Sequence, residues 1–167
     1  MSTASLRTPT LMAATITLGF VAGVFTFYAH TIMPGLHRTD DRTFVGAFQS
    51  IDRAIINPWF IGGTFLGALA LTALAAIANR GQRAFPWIVY ALVAYLIAVA
   101  ITISVHVPLN DAIKSAGDPN HIANVALVRA AFNETRWATW NLVRVATSTS
   151  AFASCAWALV LHGRSTA

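Results

Sequence analysis

Four stretches of the chain carry no formal charge and are apolar enough to enter a bilayer. They are residues 11–32, 58–79, 84–105 and 145–161, the last reaching full crossing length if it begins near residue 138. A crossing helix takes about 20 predominantly apolar residues. In hydrocarbon, every backbone N–H and C=O must also find its partner within the segment or in a closed barrel. Runs of this length predict an all-α fold: a four-helix transmembrane bundle forming one domain, with spans at about 11–32, 58–79, 84–106 and 138–161. Composition agrees, since 56% of residues are hydrophobic and 10% charged, where a soluble domain carries about 25% charge. Arg7 precedes the first run, as in a signal peptide. That run exceeds the roughly 7–15 residues of such a segment, and no A-x-A-like cleavage site follows, so it is read as a retained helix.

The charges sort by side. Four crossings put both termini and the turn at 79–85 together, and this side holds Arg7, Arg80, Arg83 and Arg164 with no acidic residue. All six acidic residues (Asp40, Asp41, Asp52, Asp111, Asp118, Glu134) fall in two long loops, about 33–57 and 107–136. Basic residues in short loops and near span ends mark the cytoplasmic face. The reading is a multi-pass protein of the plasma membrane with cytoplasmic termini. The net charge of +5 comes from scattered residues, with no basic cluster interleaved with aromatics, so nucleic acid is not the expected partner. The single cysteine, Cys155, sits in an apolar run. It excludes an internal disulfide and a Cys-rich metal site, and it reads as a buried thiol.

The long loops carry helical patterns. After Thr39 and Asp40, either of which can cap a helix, Phe44, Phe48, Ile51 and Ile55 recur at helical spacing, with Arg42, Gln49 and Arg53 elsewhere on the wheel. This predicts an amphipathic helix over about 40–56, after which Asn57-Pro58 opens the second span. Gly117-Asp118-Pro119 reads as turn, cap and first helical residue of a second such helix over about 119–136. Two short non-cytoplasmic helical caps therefore cover the bundle. Pro108 disfavours helix at Val107, which predicts that the third span breaks there. Gly19 and Gly23, and Gly63 and Gly67, form G-x-x-x-G pairs that predict close helix packing.

Polar residues gather at the cap side. His30 and His106 end the first and third spans at similar depth, with His37 and His121 on the same side and His162 on the other. Imidazole serves as a base or as a metal ligand. His30 and His106 are the first pair for a metal or haem, although no local motif such as H-E-x-x-H supports one. Asn110 and Asp111 follow His106. In the stretch TRWATWNLVR (135–144), Arg136, Trp140 and Arg144 share one helix face, and Trp137, Asn141 and Arg144 form an adjoining stripe. Indoles are ordinary at a membrane interface. Arg144 is different, because it lies roughly 12 Å deeper than Arg136 by helical rise. An arginine at that depth costs about 2.5–3.5 kcal/mol on insertion scales and normally faces the bundle interior or a wet cavity. Asp52, Asp111 and Glu134 are its candidate counter-charges.

Four segments in this order resemble the anthrone oxygenase-like family of integral membrane proteins. They are Met33-Pro34-Gly35-Leu36, Ile55-Ile56-Asn57-Pro58, His106-Val107-Pro108-Leu109-Asn110-Asp111 and Arg136-Trp137-x-x-Trp140-Asn141-x-x-Arg144. The resemblance runs over about 11–161. It implies oxidation of a small lipophilic aromatic or enolisable substrate, an anthrone to an anthraquinone in characterised relatives, by O2 and without a redox cofactor. The alternatives are a non-catalytic binder or transporter of a lipophilic molecule and a haem or metal membrane protein. In the oxygenase reading, His106, Asp111, Asn141 and Arg144 carry the chemistry, with His106, His30 or Asp111 as the base. Asn57, Asn110, Arg136, Trp137 and Trp140 bind the substrate. His106 stands where the family pattern often has asparagine.

Overall fold

A computed structural model describes residues 3–166, and four helical stretches in it are long and apolar enough to cross a membrane: Ser5–His37, Trp59–Ala78, Phe85–Ser115 and Val125–Arg164. No strand occurs among the described residues. The first stretch is α1 (Thr3–Phe27), a wider π turn at Tyr28–Ile32 and α2 (Met33–His37); α3 (Asp41–Ile55) then lies across the end of the bundle. The second is a π segment, Trp59–Leu66, running into α4 (Gly67–Ala78). The third is α5 (Phe85–Ile101), a π turn at Thr102–His106 and α6 (Val107–Ser115). A short helix α7 (Val125–Phe132) joins α8 (Glu134–Thr166) through Asn133, which has φ 54°, a left-handed position that Asn tolerates better than most residues. Arg7 Nε donates to the Ala78 carbonyl at 3.1 Å, and Thr8 Oγ1 lies 2.9 Å from His162 Nε2. The termini and the turn after α4 thus share one end of the bundle, here the terminal end. The opposite end, under α3, α6 and α7, is the cap end.

The third span does not break at Pro108. Helix runs through Val107 (φ −58°, ψ −51°) because the preceding turn widens, and Val107 N–H bonds back to the Thr102 carbonyl five residues earlier. Proline lacks an N–H and its ring clashes with the carbonyl four residues back. A π turn just before it moves that carbonyl aside. The first span repeats the device, with Met33 N–H bonded to the Tyr28 carbonyl and Pro34 next in line. Such π turns often occur at functional sites, and all three here lie toward the cap end.

The cap forms as two locked layers. The Asp40 carboxylate caps α3 by accepting from Thr43 N–H and Oγ1 at 3.1 and 2.6 Å, and these bonds hold it below the usual carboxylate range. Phe44, Val45 and Phe48 of α3 pack with Ile113, Phe132 and Trp137. Gln49, assigned from its wheel position to a polar face, is buried, because its amide donates to the carbonyls of Ile113 (2.8 Å) and Gly117 (3.0 Å) and so fastens α3 to α6. Arg129 of α7 reaches the carbonyls of Thr39 and His37, Asp41 and Glu134 at 2.6–3.1 Å. The second cap helix starts at Val125, not at Pro119. Asp118 instead closes a single turn, accepting from Asn120 N–H and pairing with His121, and Asn124 supplies the helix cap.

At the terminal end the bundle is close-packed through small residues. Ala14, Ala75, Ala91, Ala151 and Ala158 are fully buried beside Leu11, Leu18, Ile88 and Cys155. Of the glycine pairs, Gly23 and Gly63 meet open space, while a Cβ on Gly19 would lie 3.1 Å from the Phe152 ring. A Cβ on Gly67 would lie 3.1 Å from the Gly62 carbonyl, which the π segment pushes toward it. That glycine accommodates an irregular turn within its own span.

Candidate functional site

The sequence stripe Trp137–Asn141–Arg144 turns inward, and the face through Arg136 and Trp140 does not. Trp137, Asn141 and Arg144 are 2%, 0% and 5% exposed, whereas Trp140 is 40% exposed and Arg136 also faces out. Ser148, Ala151, Cys155 and Ala158 continue the buried stripe down α8, as the 3–4 residue spacing of a helix face requires.

Arg144 lies at the floor of a cleft of about 150 Å³ between the cap-end halves of the spans, smaller than the roughly 300–1,000 Å³ typical of small-molecule sites. Its Nη2 donates to Asn141 Oδ1 at 2.7 Å and its Nη1 to Thr102 Oγ1 at 3.2 Å. The guanidinium stacks 4.2 Å from the centre of the Phe25 ring and 5.5 Å from that of Trp137. Asn141 in turn donates to the Phe25 carbonyl at 3.1 Å, which ties the arginine to the first span. Among the described residues no carboxylate lies within ion-pair distance of Arg144, and its Nε is buried without a partner. Cation–π contact contributes about 2 kcal/mol when desolvated, and hydrogen bonds to a charged group about 1.5–3 kcal/mol each. These are large enough to hold the cation at its depth without an acid. One donor is left over, aimed at no protein group.

The expected counter-charges are engaged elsewhere. Glu134 pairs with Arg129 and His37. Asp52, 5% exposed, and the largely exposed Asp111 both pair with Lys114, at 2.9 and 3.0 Å. Asp52 Oδ1 also accepts from Asn110 Nδ2 at 2.6 Å, and Asn110 Oδ1 accepts from Trp137 Nε1 at 2.9 Å. Lys114, Asp52, Asn110 and Trp137 thus form a continuous polar roof, opposite the arginine floor. Tyr28, Phe60, Ile61 and Phe65 form apolar walls between them.

His106 is buried in the wall, but both ring nitrogens face backbone carbonyls, Nε2 at 3.2 Å from Trp137 O and Nδ1 at 3.5 Å from Ile101 O. Carbonyls only accept hydrogen bonds and a neutral imidazole has a single N–H. The ring therefore donates to one of the two, the shorter contact to Trp137 O fastening the third span to α8, and the other nitrogen keeps its lone pair turned toward the Ile101 carbonyl. His30 is exposed on the outside of the first span, beside Thr31 and edge-on to Phe27. The two histidines do not converge, and no cluster of three or more potential metal ligands occurs among the described residues. Asn57 does not line the cleft; it caps the second span through Phe60 N–H at 2.9 Å. Tyr28, Asp52, Thr102 and Lys114 line the cleft without having been assigned to a site from the sequence. For Asp52 the signal was there: a charged residue four places after Phe48 falls on the apolar face of α3.

The chain matches no curated protein and no solved structure at a significant level. A family model described as anthrone oxygenase matches residues 57–154, which include the second and third spans, Asn110, Trp137, Asn141 and Arg144 but not Tyr28 or Asp52. With a match over more than half its length, the chain belongs to the anthrone oxygenase family.

Proposed function

We propose that the chain oxidises a flat, enolisable aromatic ketone of the anthrone class to its quinone with O2, using no resident redox cofactor, from a site at the cap end. In the same reading the termini are cytoplasmic. The observation that carries the proposal is Arg144, a buried guanidinium without a counter-ion at the floor of an apolar cleft. Preorganised positive charge of this kind stabilises an anion as it forms. A ring-flanked methylene beside a conjugated ketone loses a proton to give an extended enolate, and the guanidinium is a fitting partner for its oxygen.

Asp52 takes the base role in place of His106, because it faces the same cleft and is a proton acceptor. Lys114 and Asn110 fix its carboxylate at the roof, and Asn141 fixes Arg144 at the floor. Trp137 and Tyr28, whose ring centres lie 5.7 Å apart, give the cleft an aromatic lining suited to a planar substrate. The enolate supplies the electrons to O2 and a C–O bond forms at the former methylene. Loss of water from the resulting hydroperoxide leaves the new carbonyl. One oxygen atom ends in the quinone and the other in water.

The test is turnover by purified protein in lipid nanodiscs supplied with an anthrone, read as O2 uptake and quinone absorbance together. Arg144→Lys, which keeps the charge but loses the planar fork, is expected to lose most of the activity. Full activity in that variant rejects the site. Tight binding without O2 uptake rejects the oxygenase in favour of a binding protein.

A further inference from the structure

We infer that the cleft opens sideways into the bilayer, between the cap-end halves of the second and third spans, and that its ligand arrives from the lipid leaflet on that side. Below this level the two spans pack along one another, α4 against α5. The Tyr95 hydroxyl, fully buried, donates to the Phe65 carbonyl at 2.8 Å and pins them at the last turn of the π segment. Beyond that pin, Trp59–Leu66 makes almost no contact with Thr102–His106 or α6. The spans part there, and the cleft fills the gap.

The rim of the gap is apolar and outward-facing. Ile56 and Val107 line the cleft and are 55% and 44% exposed. The route from water is narrower by contrast, although the largely exposed Asp111 also lines the cleft. Asp52, Lys114 and Asn110 are tied to one another over the cleft, and Gln49 and Arg129 lock the helices above them. From Thr102 to Lys114 the slot runs on the order of 18 Å along the span at 1.5 Å per residue. It has a polar pole at each end and hydrocarbon-like walls between. The chemical class that fits is a flat lipophilic phenol or enol: it dissolves in the leaflet, slides in edge-on and brings its acidic oxygen to the Arg144 guanidinium. This ligand class rests on the proposed function; the lateral opening does not.

The test reads access without requiring turnover. Trp59, Trp87, Trp140 and Trp157 are all exposed, so replacing them with Phe leaves Trp137 in the cleft wall as the sole indole. In nanodiscs, phosphatidylcholine brominated on its acyl chains is expected to quench most of the Trp137 emission, with acrylamide in the water quenching little. Adding Ile56→Phe and Val107→Phe at the rim should restore the emission. Quenching by acrylamide alone, or by neither agent, overturns the lateral opening. A nitroxide at Ile61 (Ile61→Cys with Cys155→Ala) gives an independent reading should the four-Phe variant misfold. It should relax with O2, which concentrates in lipid, and not with a water-soluble nickel chelate; the reverse pattern also overturns it. Loss of lateral quenching with turnover intact would remove the portal alone, and lateral quenching without turnover would remove the oxygenase alone.

Discussion

The two ends of the bundle are built on opposite principles from the same four helices. At the terminal end, regular α-helices meet through alanines, and Leu11, Leu18, Ile88 and Cys155 fill the space between them. At the cap end, three of the four spans widen into π turns, the second and third spans separate, and the space holds a cation without a counter-ion. The fourth span stays regular throughout and carries Trp137, Asn141 and Arg144 on one stripe. The contrast teaches that, among the described residues, the irregular turns within the spans and the buried cation without a counter-ion both lie at the end that has a cleft. In a membrane protein, such backbone is tolerated where it is buried in protein or lines a cavity, and the Tyr95–Phe65 bond marks the boundary.

The sharpest way to break this comparison is Arg144→Met. If the cap end holds its cation for chemistry and not for stability, turnover should fall roughly 10²–10³-fold, as for loss of a key anion-stabilising group. The thermal midpoint should hold or rise, because replacing a buried charge with an apolar residue of similar size is often neutral or stabilising. A large loss of stability would make Arg144 structural. Asp52→Asn keeps a side chain able to contact Asn110 but removes the proposed base. Turnover is expected to fall about 10²-fold, within the span of general acid–base effects, and unchanged kcat would return the role to Asp111.

The terminal end should respond the other way round. Ala158→Leu inserts bulk into a fully buried position and is expected to cost about 1–3 kcal/mol of stability, with activity per folded molecule retained. Denaturant titration beside specific activity separates the two. Gly67→Ala should cost less, about 1 kcal/mol or below, because the Gly62 carbonyl has to shift by only a few tenths of an ångström. The smallest effect belongs to Asp40→Ala at the α3 cap. Thr43 depresses the folded-state pKa of Asp40, so its contribution is present above the ordinary carboxylate range and is lost as pH falls through the folded value. The midpoint difference between wild type and variant should therefore be seen at neutral pH and vanish in acid.

The bundle itself was legible in the sequence, because a run of some 20 uncharged apolar residues has few other ways to satisfy its backbone. Arg144 was legible for the same reason, as a charge too deep to be ordinary, and helical spacing placed Trp137 and Asn141 beside it. Spacing could not say which of two adjoining faces turns inward, so Arg136 and Trp140 were grouped with the site and lie outside it. Nor could it foresee that a π turn carries helix through Pro108, since that depends on which neighbouring carbonyls can move. The role given to His106 depended on what its ring nitrogens meet, and Trp137 O lies 31 residues away along the chain. Pairing of Asp52 with Lys114 likewise joins residues on two loops that only the folded cap brings together. Local chemistry determined the spans, their order and the one charge set deep within them. Tertiary structure decided which side chains converge on that charge, because convergence depends on helix rotation and long-range contact, which no local pattern encodes.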